Sequence, residues 1–281
     1  MFLRRRSKDR LAAVEELLEG YELPSFPQVI TDAMGRLSDP DVSMSELVRV
    51  LELDPGISVK LLQMANSAAM GLRNPVDNLA QVVTILGRNQ VESILISTAV
   101  RASVPKPRSP ILDAARFWRA AASRAVVASG ISAVIDHKRR SEAFTGAFLQ
   151  DMAIPVLVDN VDGYDVLLKR WYDGDVDVAD LAEAENEEFG WDHALVGSRM
   201  GAKWQFPDSL LNAVAHHHDH DDPDGMVGVQ IVSGWHEIDE EASRNMVLER
   251  ATLAPELQEV DVEMVVDEAL DRVGEVSALF S

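Results

Sequence analysis

The sequence predicts an all-α fold made of two packed helical subdomains. Apolar residues recur at spacings of three and four along most of the 281-residue chain, which is the period of a helix with one buried face. Alternating polar and apolar runs, which would indicate strands, are scarce. Hydrophobic residues make up 47% of the chain, enough for a substantial core. The segment SVPKPRSP at 103–110 has three prolines and no apolar period, so we predict the subdomain boundary there.

End signals mark the first helices. RLAAVEELLEG carries its apolar residues on one face and ends at Gly20, a residue typical of helix C-termini. Ser43, with Glu46 three residues later, predicts a capping box before the next helix. Asp54 followed by Pro55 predicts the N-cap and first turn of the helix in PGISVKLLQMA.

Helical patterns continue on both sides of the predicted boundary. NLAQVVTILG is expected to end at Gly87, and RNQVESILISTAVRA to follow as a buried helix. Beyond residue 110 the patterns include FWRAAASRAVVASGI, GYDVLLKRWY and DHALVGSRMGAKW. The carboxylates of 159–180 are interpreted as a solvated face. The patterns after 220 predict an acidic C-terminal helical extension, 221–281, that packs on the second subdomain.

Composition and charge exclude several classes of function. The chain has no cysteine, which rules out disulfides, thiolate metal sites and a cysteine nucleophile. A net charge of −21 argues against a nucleic-acid binder. No apolar run is long enough to span a bilayer, and no secretory signal is evident, so we expect a cytoplasmic protein. The basic residues of segment 1–19, an N-terminal segment and helix, are interpreted as a solvated terminus.

Ordered motifs along the chain resemble one family. LPSFPQV, DPGISVKLLQMANSAAMG and NLAQVVTILG are similar to the signatures of the HDOD family, a bacterial signalling relative of the HD and HD-GYP phosphohydrolases. FWRAAASRAVVASGI, GAFLQDMAI and EFGWDHALVGSRMGAKWQFPDSLLNAVAHHH resemble its later blocks, in order. The resemblance covers 20–220. It implies a first helical part at 20–103 and a degenerate HD-phosphohydrolase-like bundle at 110–220.

The resemblance also implies where the HD metal site would lie. HD phosphohydrolases bind metal through a first histidine, a His-Asp pair and a distant aspartate. The matching positions here are Ala122, the pair Gln150 and Asp151, and the segment 233–235, which holds no carboxylate. An alanine has no donor atom, and an amide is a poor substitute for imidazole. We therefore predict no catalysis, no cofactor and no bound metal.

Four of the seven histidines lie in AVAHHHDHDDPDG at 213–225. The resemblance implies that His193, His217 and His218 match positions that add metal ligands in HD-GYP phosphodiesterases. A residual site made of these three and Asp151 is one interpretation. The favoured interpretation is that the histidines serve packing and hydrogen bonding near helix ends.

These observations predict a non-catalytic signal-transduction protein that acts through contacts with protein partners. The partner and the oligomeric state stay open. The candidate partner surface consists of Pro24, Phe26, Asn66 and Met70, a segment that combines polar and adaptable side chains.

Two alternatives stay open. The first is a metal-dependent phosphohydrolase or cyclic-dinucleotide phosphodiesterase with a rearranged His/Asp site, which the missing ligands disfavour. The second is a nucleotide-sensing domain that binds without cleaving. The sequence does not separate it from the signalling interpretation, because neither a Gly-rich phosphate loop nor a paired-arginine clamp is evident.

Overall fold

A computed structural model describes residues 2–21, 23–37, 39, 41–67, 72, 74–176, 180–220 and 225–280, with side chains from residue 10 onward. Every regular element in these ranges is a helix, and none of them contains a strand. The predicted all-α class is therefore confirmed. None of the helices described is both long and apolar enough to cross a bilayer.

Five helices precede the Pro-rich segment. They are α1 (Phe2–Glu19), α2 (Gln28–Leu37), α3 (Met44–Leu51), α4 (Pro55–Ala65) and α5 (Leu79–Ser103). The predicted caps are confirmed. The Ser43 side chain accepts from the Glu46 amide while the Glu46 carboxylate accepts from the Ser43 amide. Asp54 accepts from the first two free amides of α4.

Gly87 separates two helical spans. It has φ 76° and ψ 167°, and α5 runs on both sides of it as two helical spans joined by a kink. Only glycine adopts this positive φ without steric cost, which explains why the helical pattern of the sequence breaks at Gly87. The prediction that one helix ends at Gly87 and that RNQVESILISTAVRA follows as a second, buried helix is therefore confirmed.

The second part is built around α6. Its elements are α6 (Ala114–Ile135), a 3-10 turn (His137–Arg139), α7 (Arg140–Leu149), α8 (Ile154–Asn160), α9 (Tyr164–Tyr172), α10 (Leu181–Phe189), α11 (His193–Lys203) and α12 (Asp208–Ala215). α7 packs on α6, on α12 and on α5 of the first part, so one core joins the two parts. Close packing of α7 requires Gly146, where a Cβ atom would lie 3.0 Å from the Cβ of Ala213.

The residues after 220 contact both parts. They form α13 (Val227–Ile231), α14 (Glu240–Leu253), a 3-10 turn (Pro255–Leu257), α15 (Val262–Leu270) and α16 (Val273–Leu279). α15 and α16 pack on α6, and α16 also packs on α4. The Phe280 ring lies 4.5 Å from that of Phe148, and Lys60 donates to the Leu279 carbonyl. The extension thus reaches the first part as well as the second part on which it was expected to pack.

The N-terminal helix is anchored to α11. Val14 and Leu18 are buried, and Arg10 pairs with Asp192 at 2.9 Å. Asp192 is also the N-cap of α11, where it accepts from the Leu195 amide. The interpretation of the whole basic terminus as solvated is therefore wrong at Arg10, because a carboxylate more than 180 residues away in the chain lies within hydrogen-bond distance.

Candidate functional site

Three histidines and one carboxylate come together beside the N-terminus of α11. His193 is the first residue of α11, while His217 and His218 lie in the turn after α12. Asp151 lies in the turn between α7 and α8. His193 and His217 are buried and His218 is partly exposed. These are the four residues of the residual site that the sequence left as an alternative, and we call them the histidine cluster.

The ligand atoms of the histidine cluster are spaced like those around a metal ion. Nε2 of His193 lies 3.2 Å from Nε2 of His217 and 3.1 Å from Nε2 of His218. Oδ1 of Asp151 lies 3.4 Å from Nε2 of both His193 and His217. A tetrahedral ion with bonds of about 2.0–2.1 Å holds its ligand atoms roughly 3.3 Å apart. The four separations match that spacing.

The other ring nitrogen of each histidine faces an oxygen acceptor. The contacts from Nδ1 are His217 to the Val214 carbonyl (2.7 Å), His193 to Glu185 (2.7 Å) and His218 to Asp180 (2.8 Å). A carbonyl or an ionised carboxylate only accepts, so each Nδ1 carries the proton. Neutral rings then point three Nε2 lone pairs at one another. Oδ1 of Asp151 adds a fourth acceptor and receives no well-aligned hydrogen bond from the residues described.

Such a group of acceptors needs a cation at its centre. Burial opposes a charge on His193, yet Glu185 and Asp151 raise the pKa of His193 well above its usual value. A proton on His193 therefore balances the cluster when no metal is bound. Burial and the neighbouring His217 lower the pKa of His218 to about 4, so His218 is neutral at neutral pH.

The residues present fit one divalent transition-metal ion. Three imidazoles and a carboxylate are donors that such ions take. An acceptor behind each Nδ1 is the arrangement that orients histidine ligands in metalloproteins. A bound metal would displace the proton on His193, since ligand histidines are neutral. The prediction of no metal depended on Ala122 and Gln150, which lie outside this group. It stays untested, and the donor geometry argues against it.

The second oxygen of Asp151 faces a buried arginine. Arg124 of α6 is 1% exposed. Its Nη1 forms an ion pair with Oδ2 of Asp151 at 2.8 Å and donates to the Trp235 carbonyl at 2.7 Å. Its Nε donates to the Ala147 carbonyl at 3.3 Å. Burial alone would raise the pKa of Asp151, but Arg124 and the contacts from His193 and His217 hold it well below its usual value. Asp151 is therefore an anion balanced by a fixed cation.

Two of the positions implied for the missing HD ligands, Gln150 and the segment 233–235, lie next to this ion pair. Ala122 is fully buried on α6, two residues before Arg124. Gln150 is also fully buried; it donates to the Ser233 carbonyl at 3.3 Å, and its Oε1 has no partner among the residues described. The segment 233–235 contributes backbone carbonyls to Gln150 and Arg124. Backbone oxygens and a guanidinium thus occupy the region that the resemblance assigns to metal ligands.

A cavity of about 190 Å³ adjoins the histidine cluster. Asp151, His193 and His218 line one wall, and aromatic side chains that include Trp171 and Trp235 line the others. Through this cavity, small molecules can reach the buried cluster.

Sequence reasoning missed three residues of the site: Arg124, Glu185 and Asp180. The signal for Arg124 is a charged residue within the Ala- and Val-rich helix AAASRAVVASG. Glu185 is fully buried, where it also accepts from the His193 amide and the Tyr164 hydroxyl. Asp180 caps α10 and holds His218. The interpretation of the carboxylates of 159–180 as a solvated face is therefore wrong at Asp180.

The candidate partner surface makes contacts within the molecule. Trp204 donates from Nε1 to the Pro24 carbonyl at 3.0 Å, and the Phe26 ring stacks 5.0 Å from that of Trp204. The Asn66 side chain is exposed, and it bonds both backbone groups of Val76. Met70 lies outside the residues described. The function of this surface stays a prediction.

Solved structures of several bacterial proteins share this fold. An HDOD domain protein of unknown function from Geobacter sulfurreducens aligns over 98% of both chains at 19% identity, with a TM-score of 0.71. A provisionally named phosphohydrolase from Shewanella amazonensis SB2B aligns over 96% of this chain and 97% of its own at 22% identity, with a TM-score of 0.68. A provisionally named signal transduction protein from Marinobacter aquaeolei VT8 aligns over 96% of this chain and 66% of its own at 18% identity, with a TM-score of 0.66.

Sequence comparison identifies the family. An uncharacterized protein from Treponema pallidum (strain Nichols) is 19% identical over 207 residues, which are 70% of this chain and only 38% of that relative. The family model for the HDOD domain matches residues 23–220, well over half of the chain. The chain therefore belongs to the HDOD domain family.

Proposed function

We propose that this HDOD protein is a non-catalytic signalling protein that acts through contacts with other proteins. The observation that carries the proposal is the ion pair between Arg124 and Asp151. The guanidinium supplies, from within the chain, the positive charge that a metal ion supplies on the aspartate of an HD pair. A guanidinium stays protonated and has no coordination position for water, so it cannot generate a nucleophile.

An assay of hydrolysis tests the absence of catalysis. Cyclic dinucleotides, nucleotides and a phosphomonoester are incubated with the purified protein and Mn, Fe, Mg or Ni. We expect no turnover above that of the His217→Ala variant. Metal-dependent turnover that disappears in both Asp151→Ala and His217→Ala would overturn the proposal.

Signalling without catalysis requires a surface that partners recognise. The Marinobacter protein of the same fold is named, provisionally, for signal transduction, which supports this role. Pro24, Phe26, Asn66 and Met70 are the proposed contact segment. Val59 of α4, 51% exposed, is an apolar residue of the same subdomain that a partner can reach.

A matched pair of charge substitutions tests the surface. Val59→Glu is expected to remove partners that co-purify with the wild-type protein from native cells, with the melting temperature unchanged. Val166→Glu, at a residue 58% exposed on the second part, is the control and should keep them. Equal recovery with both variants would argue against this surface.

The histidine cluster favours a second candidate function, a metal-dependent phosphohydrolase with a rearranged site. His193, His217, His218 and Asp151 would hold the ion, and Glu185 and Asp180 would orient two of the histidines through Nδ1. Because the four residues fill a tetrahedral ion, a divalent ion there would polarise a phosphoryl oxygen or lower the pKa of a bound water only by taking a fifth ligand. The adjoining cavity is the place where this chain would admit a phosphate ester.

Metal analysis combined with the hydrolysis assay separates the two candidates. Metal bound stoichiometrically without turnover supports a non-catalytic protein whose ion is structural or regulatory. Metal bound with turnover that requires His217 supports the hydrolase.

A further inference from the structure

Two arginines that are far apart in the sequence face one cleft. The cleft, about 380 Å³ in volume, lies between the two subdomains and the C-terminal extension. Arg140 begins α7, and Arg272 immediately precedes α16. Both are half-buried. We call this space the arginine cleft, and it does not include any residue of the histidine cluster.

Neither arginine has a carboxylate partner within ion-pair distance among the residues described. The adjacent Arg139 pairs with Glu142 at 3.1 Å, whereas Arg140 donates from Nε only to the Ser129 hydroxyl at 3.2 Å. Burial, and then the positive charge of Arg272, lower the pKa of Arg140. The positive charges of Arg140 and Arg272 thus lie near each other, and no described carboxylate forms an ion pair with either of them.

The other walls of the arginine cleft offer polar groups and an apolar surface. Ser67 lines it, and the buried Oγ of Ser67 has no hydrogen-bond partner among the residues described. The apolar lining comprises Met64, Ile85, Leu86, Val126, Phe144 and Val276. Glu275 lies in a smaller adjoining cavity of about 190 Å³ that shares Arg272. An anion with an apolar body matches this combination of groups.

We propose that the arginine cleft binds a small phosphate ester of the size of a nucleoside monophosphate. The guanidinium groups of Arg140 and Arg272 would bind the phosphate, because paired N–H donors match its oxygens. The apolar wall would pack against the base or another apolar group. The volume falls within the range of about 300–1,000 Å³ that is typical of ligand pockets.

The position of the arginine cleft gives such a ligand a regulatory role. Its lining comes from α4 and α5 of the first part, from α6 and α7 of the second, and from the extension. A ligand that contacts all three stabilises the arrangement in which they enclose it, and so couples its concentration to the surface presented to partners.

Calorimetric titration of the full chain tests the site. The probes are AMP, GMP, orthophosphate and adenosine. At least one nucleotide is expected to bind, orthophosphate at least tenfold more weakly, and adenosine not detectably. Raising the salt concentration should weaken nucleotide binding, because the cleft is partly open to solvent. Failure of AMP, GMP and orthophosphate to bind at millimolar concentration would overturn the proposal.

Substitutions assign the binding to the two arginines. Arg140→Met and Arg272→Met are each expected to lower nucleotide affinity at least tenfold, while the control Arg139→Met leaves it unchanged. Without ligand, Arg272→Met should melt no lower than the wild type, because its loss removes repulsion from Arg140. Nucleotide binding that survives both substitutions would contradict the assignment. So would an Arg272→Met variant that melts several degrees lower, since it would give Arg272 a structural role.

Discussion

The two oxygens of Asp151 lie in different environments. Oδ2 forms an ion pair with Nη1 of Arg124, which also donates to the Trp235 carbonyl, while Nε of Arg124 donates to the Ala147 carbonyl. Oδ1 faces His193 and His217 and receives no well-aligned hydrogen bond. The charge of Arg124 thus balances the carboxylate of Asp151 at Oδ2. The other side keeps a set of donors that accepts a proton or a metal ion.

This difference shows that donors suited to a metal ion can persist beside positions where the resemblance implies that HD ligands are missing. Gln150 and Arg124 both donate to carbonyls of the segment 233–235, and the buried charge of Arg124 balances Asp151 there. Each histidine keeps an acceptor behind Nδ1, so its ring orientation does not depend on the missing ligands.

Removal of Arg124 should have the largest effect. Arg124→Met leaves a buried carboxylate without its fixed partner, which typically costs about 3–5 kcal/mol of the free energy of unfolding. Arg119→Met is the control on the same helix, because Arg119 and Glu240 are half-exposed and 4.0 Å apart. Its cost should be at most about 1 kcal/mol. Urea unfolding monitored by circular dichroism measures both, and equal costs would mean that Arg124 does not balance Asp151.

Addition of metal tests the side of Asp151 where Oδ1 faces the histidines. In chelator-treated protein, a divalent ion at 100 times its dissociation constant should stabilise the fold by about 2.7 kcal/mol. Thermal unfolding with and without Zn²⁺ measures this gain, which His217→Ala should abolish. The control is His216→Ala, at an exposed neighbour outside the histidine cluster. An equal gain in wild type and His217→Ala would place the ion elsewhere.

Glu185 tests the same side of Asp151, because it would act on a bound metal through His193. Glu185→Gln should weaken metal binding about 10–100-fold, since its carboxylate orients Nδ1 of His193. Competition with a chromogenic chelator measures the affinity. Glu188→Gln, at a half-exposed residue of the same helix that pairs with Arg170, is the matched control. If both variants bind metal alike, Glu185 does not support the site.

Gln150 should show the smallest effect. Its amide makes one long hydrogen bond to Ser233 and leaves Oε1 unpaired, so Gln150→Met should change the free energy of unfolding by no more than about 1 kcal/mol. Gln150→Glu should cost clearly more, because it buries a second carboxylate beside Asp151. Urea unfolding of both variants checks the difference. A larger cost for Met than for Glu would mean that position 150 is more tolerant of charge than its burial implies.

Sequence alone determined the helical class and two helix starts, and by resemblance it predicted which HD ligands are missing. The Ser43–Glu46 box and the Asp54 cap are readable because their partners lie within three residues along the chain. The prediction for Ala122 and Gln150 follows from residue type in an ordered motif. Such signals need no knowledge of which helices pack together.

Only the tertiary structure decided which side chains meet. His193 and His217 are 24 residues apart, and Arg124 bonds the carbonyl of a residue 111 positions away. The pair of arginines that the sequence did not reveal forms when Arg140 and Arg272 reach one cleft from α7 and the extension. The physical reason is that helix signals come from backbone groups a turn apart. Side chains from distant segments converge only after the core has packed those segments together, and no local pattern records that packing.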